Sequence, residues 1–202
     1  MLEESSYDFT MQPGTRTFYI VCTTRQRITT LQPGWNMVSS PSMENVTKKD
    51  LRIFFNGTWY TWQEAVDNHI VMPHLYYWDG TAYQIAEQLE PGKGYWLYAY
   101  ESCELWTEVY RPGEGYIAEL LEEKWNLIGF PCNQTINIHS IWVLYNGTWH
   151  DWDQAVQAGI IDEHLYIYNR TTGHYELTEQ FMPGEAHWIY AYKPCKLYWK
   201  KP

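Results

Sequence analysis

A chain of 202 residues, 45% of them hydrophobic and only 19% charged, carries enough apolar material to fold, which excludes an intrinsically disordered protein. Its net charge of −10, with 14 Lys and Arg spread along its length, argues against nucleic acid and anionic membrane surfaces, both of which need clustered cations. No apolar run approaches the roughly 20 residues of a membrane-spanning helix, so membrane insertion is not expected.

Met1 to Ser6 is acidic and polar, where a secretory leader would be basic and then apolar. Residues 1–29 are expected to supply a leading strand, Arg16 to Cys22, that is either an edge of module one or the remnant of a preceding domain. From Thr30 onward the chain repeats itself. Trp35-Asn36-Met37-Val38 returns ninety positions later as Trp125-Asn126-Leu127-Ile128, and Asn56-Gly57-Thr58-Trp59 returns as Asn146-Gly147-Thr148-Trp149. After a two-residue insertion near Thr171 and Thr172, Tyr83 meets Tyr175, Trp96 meets Trp188 and Cys103 meets Cys195. Such collinearity marks two copies of one structural unit. The expected division is module one at 30–109, a turn-forming linker at 110–115 and module two at 116–202.

Within each copy, short runs of aromatic and β-branched residues read as strands: Arg52 to Phe55, Leu75 to Trp78 and Tyr95 to Tyr100. Asn56-Gly57, Asp79-Gly80 and Asn146-Gly147 predict two-residue hairpin turns, and Pro91-Gly92 and Pro183-Gly184 predict turns before the last strands. Thr61-Trp62-Gln63-Glu64 and Asp151-Trp152-Asp153-Gln154 have capping-box spacing and predict one short helix per copy, closed by Asn68 and Gly159 respectively. The fold class is therefore mainly β, as two tandem small β-barrel or sandwich-like modules, each with one short α-helix.

The phrases Leu31 to Pro41, Trp59 to Val66, Leu75 to Tyr83 and Leu89 to Tyr100 resemble an aromatic-rich repeat of secreted and surface proteins of archaea and some bacteria. The resemblance covers nearly all of the chain after Thr30. It implies a non-catalytic module outside the cell and supplies no catalytic or binding residues. Copy two departs from the pattern with Lys124 for Gly34 and Ala186 for Gly94; had the second glycine served a ligand, copy two would have lost it.

The four cysteines form no CxxC pair, so a zinc ribbon or a redox dithiol is not expected. The repeat suggests one bridge per module, Cys22–Cys103 and Cys132–Cys195, with free buried thiols as the alternative. Five of the nine asparagines, Asn45, Asn56, Asn133, Asn146 and Asn169, stand in N-x-[ST] sequons, an excess that suggests a glycoprotein. Seven histidines show no ligand spacing, and no nucleophile elbow, phosphate loop or dinucleotide fingerprint is present. No enzyme, cofactor or metal is therefore expected.

Twelve Trp and eighteen Tyr need a role. Trp59 and Trp149, just past their hairpin tips, with Tyr60, Trp78 and Tyr83, are the candidates for stacking on sugar rings. Trp35, Trp62, Trp96, Trp125, Trp152 and Trp188 are expected to pack the cores. The expected function is a non-catalytic extracellular or cell-surface module for adhesion or assembly, with surface proteins or glycans as partners. The alternatives are a carbohydrate-binding module and a self-associating virion or filament subunit. With no leader in the sequence, the chain is expected to be part of a longer secreted protein.

Overall fold

A computed structural model describes residues 25–111 and 117–199, without the side chains of residues 117–119. Arg16 to Cys22 and the linker beyond Arg111 lie outside the described residues. Module one runs β1 (Gln26–Leu31), β2 (Gly34–Ser39), β3 (Val46–Thr47), β4 (Leu51–Phe55), β5 (Thr58–Thr61), α1 (Trp62–Asp67), β6 (Val71–Trp78), β7 (Tyr83–Ala86), β8 (Gln88–Leu89), β9 (Gly94–Ala99) and β10 (Cys103–Thr107). Module two repeats this order as β11 (Ile117–Leu121), β12 (Lys124–Ile128), β13 (Ile136–Asn137), β14 (Ile141–Tyr145), β15 (Thr148–Asp151), α2 (Trp152–Gln157), β16 (Ile161–Asn169), β17 (His174–Thr178), β18 (Gln180–Phe181), β19 (His187–Ala191) and β20 (Cys195–Trp199).

Each module is an antiparallel sandwich. In module one an outer sheet β1-β10-β4-β5 faces a second sheet β2-β9-β6-β7, with β3-β8 as a small ribbon. Module two repeats the arrangement as β11-β20-β14-β15, β12-β19-β16-β17 and β13-β18. No sheet among the described residues closes on itself, so the architecture is sandwich rather than barrel. Because β1 pairs with β10 and β11 with β20, the residues just before Thr30 do have a counterpart in the second copy.

Local chemistry explains the hairpins. Asn56 (φ 49°) with Gly57 (φ 78°), and Asn146 (φ 47°) with Gly147 (φ 77°), supply the two left-handed positions that a two-residue turn requires. Asp79-Gly80 differs from expectation: Trp78 pairs with Tyr83, which leaves a four-residue loop. The Asp79 carboxylate accepts the amides of Thr81 and Ala82, both at 2.8 Å, which organises a longer turn and holds its own pKa well down. The insertion of copy two falls in the same loop, where Asn169 Oδ1 accepts the amides of Thr171 and Thr172.

Both helices have complete capping boxes, Thr61 with Glu64 and Asp151 with Gln154. Gly159 (φ 62°) ends α2 as expected. In module one the left-handed residue is His69 (φ 54°) rather than Asn68, which instead donates its side-chain amide to Glu64 O at 2.8 Å. Trp62 and Trp152 bury the helix starts in the two cores with Ala65 and Ala155.

Cys103 and Cys195 fill equivalent core positions, and burial pushes both thiols up to about 12. Cys132 is also buried and free, donating to Gln134 O at 3.2 Å. The Cys132–Cys195 bridge is thus not formed here, and Cys22 lies outside the described residues. These thiols pack as small apolar groups.

The copies solve one core position differently. In module one Tyr95 shares the core with Leu89, and its hydroxyl accepts the Glu90 amide at 2.7 Å. In module two Phe181 takes the place of Leu89 and crowds His187 at 5.1 Å between ring centroids. His187 is fully buried, both ring nitrogens lack partners among the described residues, and burial lowers its pKa from 6.5 to about 3. The unfolded chain therefore binds an extra proton between those values, so stability present above pH 6.5 is lost as pH falls toward 3, at up to about 1.4 kcal/mol per pH unit. The double change Phe181→Leu with His187→Tyr, which copies module one, is expected to flatten this part of the profile. Urea unfolding of both proteins from about pH 7 to about pH 4, a window inside that titration range, checks it; parallel profiles would contradict it.

Candidate functional site: an aromatic groove between the modules

The two modules meet through the outward faces of their second sheets. Ser39 N–H donates to Gly184 O at 2.9 Å, and Gly129 N–H donates to Gly92 O at 3.0 Å. Since Ser39 and Gly129 are repeat equivalents, as are Gly92 and Gly184, these are one contact made twice. Two isolated bridges, Val38 with Glu185 and Lys93 with Ile128, are related in the same way. The modules thus sit about an approximate twofold axis.

At this axis equivalent residues face each other. A Cβ on Gly94 would lie 2.6 Å from Ala186 Cβ, and one on Gly129 would collide with Ser39. Each pair therefore keeps one glycine and one small side chain. The change from Gly94 to Ala186 fits this steric rule. Met37, Leu127, Trp96, Trp188 and Ala186 form a third apolar cluster here. Arg170 clamps it from one side, donating to Thr30 O and to the Glu185 carboxylate, both at 2.8 Å.

Strand alternation then fixes the aromatics. Leu75, Leu97 and Val38 point into the sandwich, so Tyr76, Trp96 and Trp35, out of phase with them along their strands, point away from it. One track of rings runs Tyr100, Tyr98, Trp35, Trp96, Tyr168 and Tyr175, with successive centroids 5.1, 5.3, 6.3, 5.1 and 5.7 Å apart. Its mate runs Tyr192, Tyr190, Trp125, Trp188, Trp78 and Tyr83, at 5.0, 5.2, 6.2, 5.9 and 5.3 Å. Each track begins on one module and ends on the other.

Between the rings lie two cavities. One, of about 430 Å³, is lined by Trp35, Tyr76, Tyr83, Trp96 and Tyr168. The other, of about 420 Å³, is lined by Trp78, Tyr83, Trp125, Tyr166, Tyr175 and Trp188. Tyr83 borders both, so the cavities are halves of one groove. Among the described residues no charged side chain lines either half. The rings meet edge to face, which exposes flat apolar faces beside polar edges.

Of the residues singled out in the sequence for stacking, Trp78 and Tyr83 line this groove. Trp59, Tyr60 and Trp149 are elsewhere, on β5 and β15 of the outer sheets. Trp59 is 40% exposed, but the Arg25 guanidinium lies over its ring at 4.6 Å and Phe54 and Trp106 flank it. Tyr60 packs against its module's core, and Trp149 is half-buried against Tyr198. Trp35 and Trp125, expected in the cores, are instead 38% and 42% exposed in the groove, while Trp96 and Trp188 are buried between modules. Only Trp62 and Trp152 are core tryptophans of that set in the expected sense.

Asn45, Asn56, Asn133 and Asn146 are exposed, whereas Asn169 is half-buried and bonds Glu176 at 2.7 Å. Among the described residues no group of three His, Cys, Asp or Glu is placed to hold a metal ion, and no helix is long and apolar enough to cross a membrane. Compared with known protein families, curated proteins and solved structures, the chain matches none.

Two predictions separate groove from core. Trp35→Ala or Trp125→Ala, each removing three edge-to-face ring contacts, is expected to lower unfolding free energy by about 1–2 kcal/mol, whereas Trp62→Ala should cost about 3–5 kcal/mol; chemical denaturation reads both. At the axis, Gly94→Ala should destabilise by about 1–3 kcal/mol through overpacking, and adding Ala186→Gly should restore part of the loss, because the new Cβ also meets Leu127 Cγ at 2.7 Å. A Gly94→Ala protein as stable as the parent would contradict the interface.

Proposed function

We propose that this chain is a non-catalytic recognition module for adhesion or assembly at a cell surface, and that it engages glycans by stacking sugar rings in the inter-module groove. The observation that carries this reading is the duplicated aromatic track, with six rings on each side of the axis. Trp and Tyr suit amphipathic ligands, since a sugar offers an apolar C–H face to a ring and hydroxyls to its surroundings. Four exposed sequon asparagines and the resemblance to surface repeats support an extracellular location.

The reading is tested by retention on immobilised polysaccharides. The parent protein should be retained on at least one neutral polysaccharide, the Trp35→Ala/Trp125→Ala double variant should elute with the void, and Trp59→Ala/Trp149→Ala should behave as the parent. Retention on no glycan, or loss through the Trp59 and Trp149 changes alone, would contradict it.

A further inference from the structure

The two halves of the groove are continuous through Tyr83, nearly equal in size and related by the axis that joins the modules. A twofold axis reverses direction. Any chain lying across it is therefore read forward by one half and backward by the other. A peptide held by directional backbone hydrogen bonds would fit one half only, whereas a ring stacked on an aromatic face is held equally well either way round.

Charge narrows the occupant further: the chain carries −10 and the described groove has no cationic lining, so anionic polymers meet repulsion with nothing to offset it.

Resting on the glycan reading above, we infer that the groove binds one linear, uncharged oligosaccharide that crosses the axis and occupies both halves, so that neither module alone holds a complete site. Tyr168 of module two completes the half built on Trp35, and Trp78 of module one completes the half built on Trp125. Tethering the halves turns the second stacking event into an intramolecular one, which raises affinity without new contacts.

Titration calorimetry with cello-, chito- and manno-oligosaccharides from two to about eight sugars tests the inference, with oligogalacturonate as the anionic control. Short chains of the preferred sugar should bind weakly at two per protein. Long chains should bind at one per protein, on the order of a hundredfold more tightly, and oligogalacturonate should not bind. Trp35→Ala and Trp125→Ala, each checked for a single cooperative unfolding transition, should return a long chain to short-chain affinity, and Trp59→Ala should change nothing. Two long chains per protein, absence of a gain with length, or preference for oligogalacturonate would overturn the inference while leaving glycan recognition standing. No binding at any length would remove both.

Discussion

Two backbone hydrogen bonds, Ser39 N–H to Gly184 O and Gly129 N–H to Gly92 O, hold the molecule's organisation together. They require the backbones of two sandwiches to approach within hydrogen-bond distance. That approach is possible only because Gly94 faces Ala186 and Gly129 faces Ser39. A side chain on both members of either pair would wedge the modules apart. Met37, Leu127, Trp96 and Trp188 would then be uncovered, and the groove would lose the wall that each module lends to the other.

The same constraint explains how a small protein can leave so many rings at its surface. Each core is complete without them, built on aliphatic residues from both sheets and closed at one end by a capped helix that inserts Trp62 or Trp152. The outward rings then brace one another edge to face along two tracks. Packing of this kind holds rings in place at little entropic cost, since each has only two side-chain torsions. The proposed site is accordingly preformed, a property that would lower the ordering cost of binding.

Much of this is legible in the sequence, and the limits have physical causes. Asn-Gly turns, capping boxes and the stop at Gly159 depend on residues a few positions apart, and the repeat locates both copies of each turn and helix. The sandwich faces are not legible. In Tyr95-Trp96-Leu97-Tyr98 both phases are apolar, so alternation alone cannot say which rings enter the core, and the recurrence of Trp35 as Trp125 fits a groove as well as a core. Trp78 and Tyr83 stand out in the sequence as stacking residues, but their companions across the axis come from the other module. Likewise Gly94 and Ala186 read as a divergence between copies until their contact shows a shared steric rule. The Asp79 loop misleads because a side-chain carboxylate, acting over three residues, replaces the tighter turn that Asp-Gly suggests.

Amide hydrogen exchange at Ser39 and Gly129 tests the central claim most directly, because the backbone bonds these two N–H groups make run across the axis. Both are expected to exchange slowly, at rates close to each other and to those of core strand amides such as Leu97 and Ile189. Exchange of either at the rate of an exposed turn amide, with the core strands still protected, would show that the modules are not joined in this way.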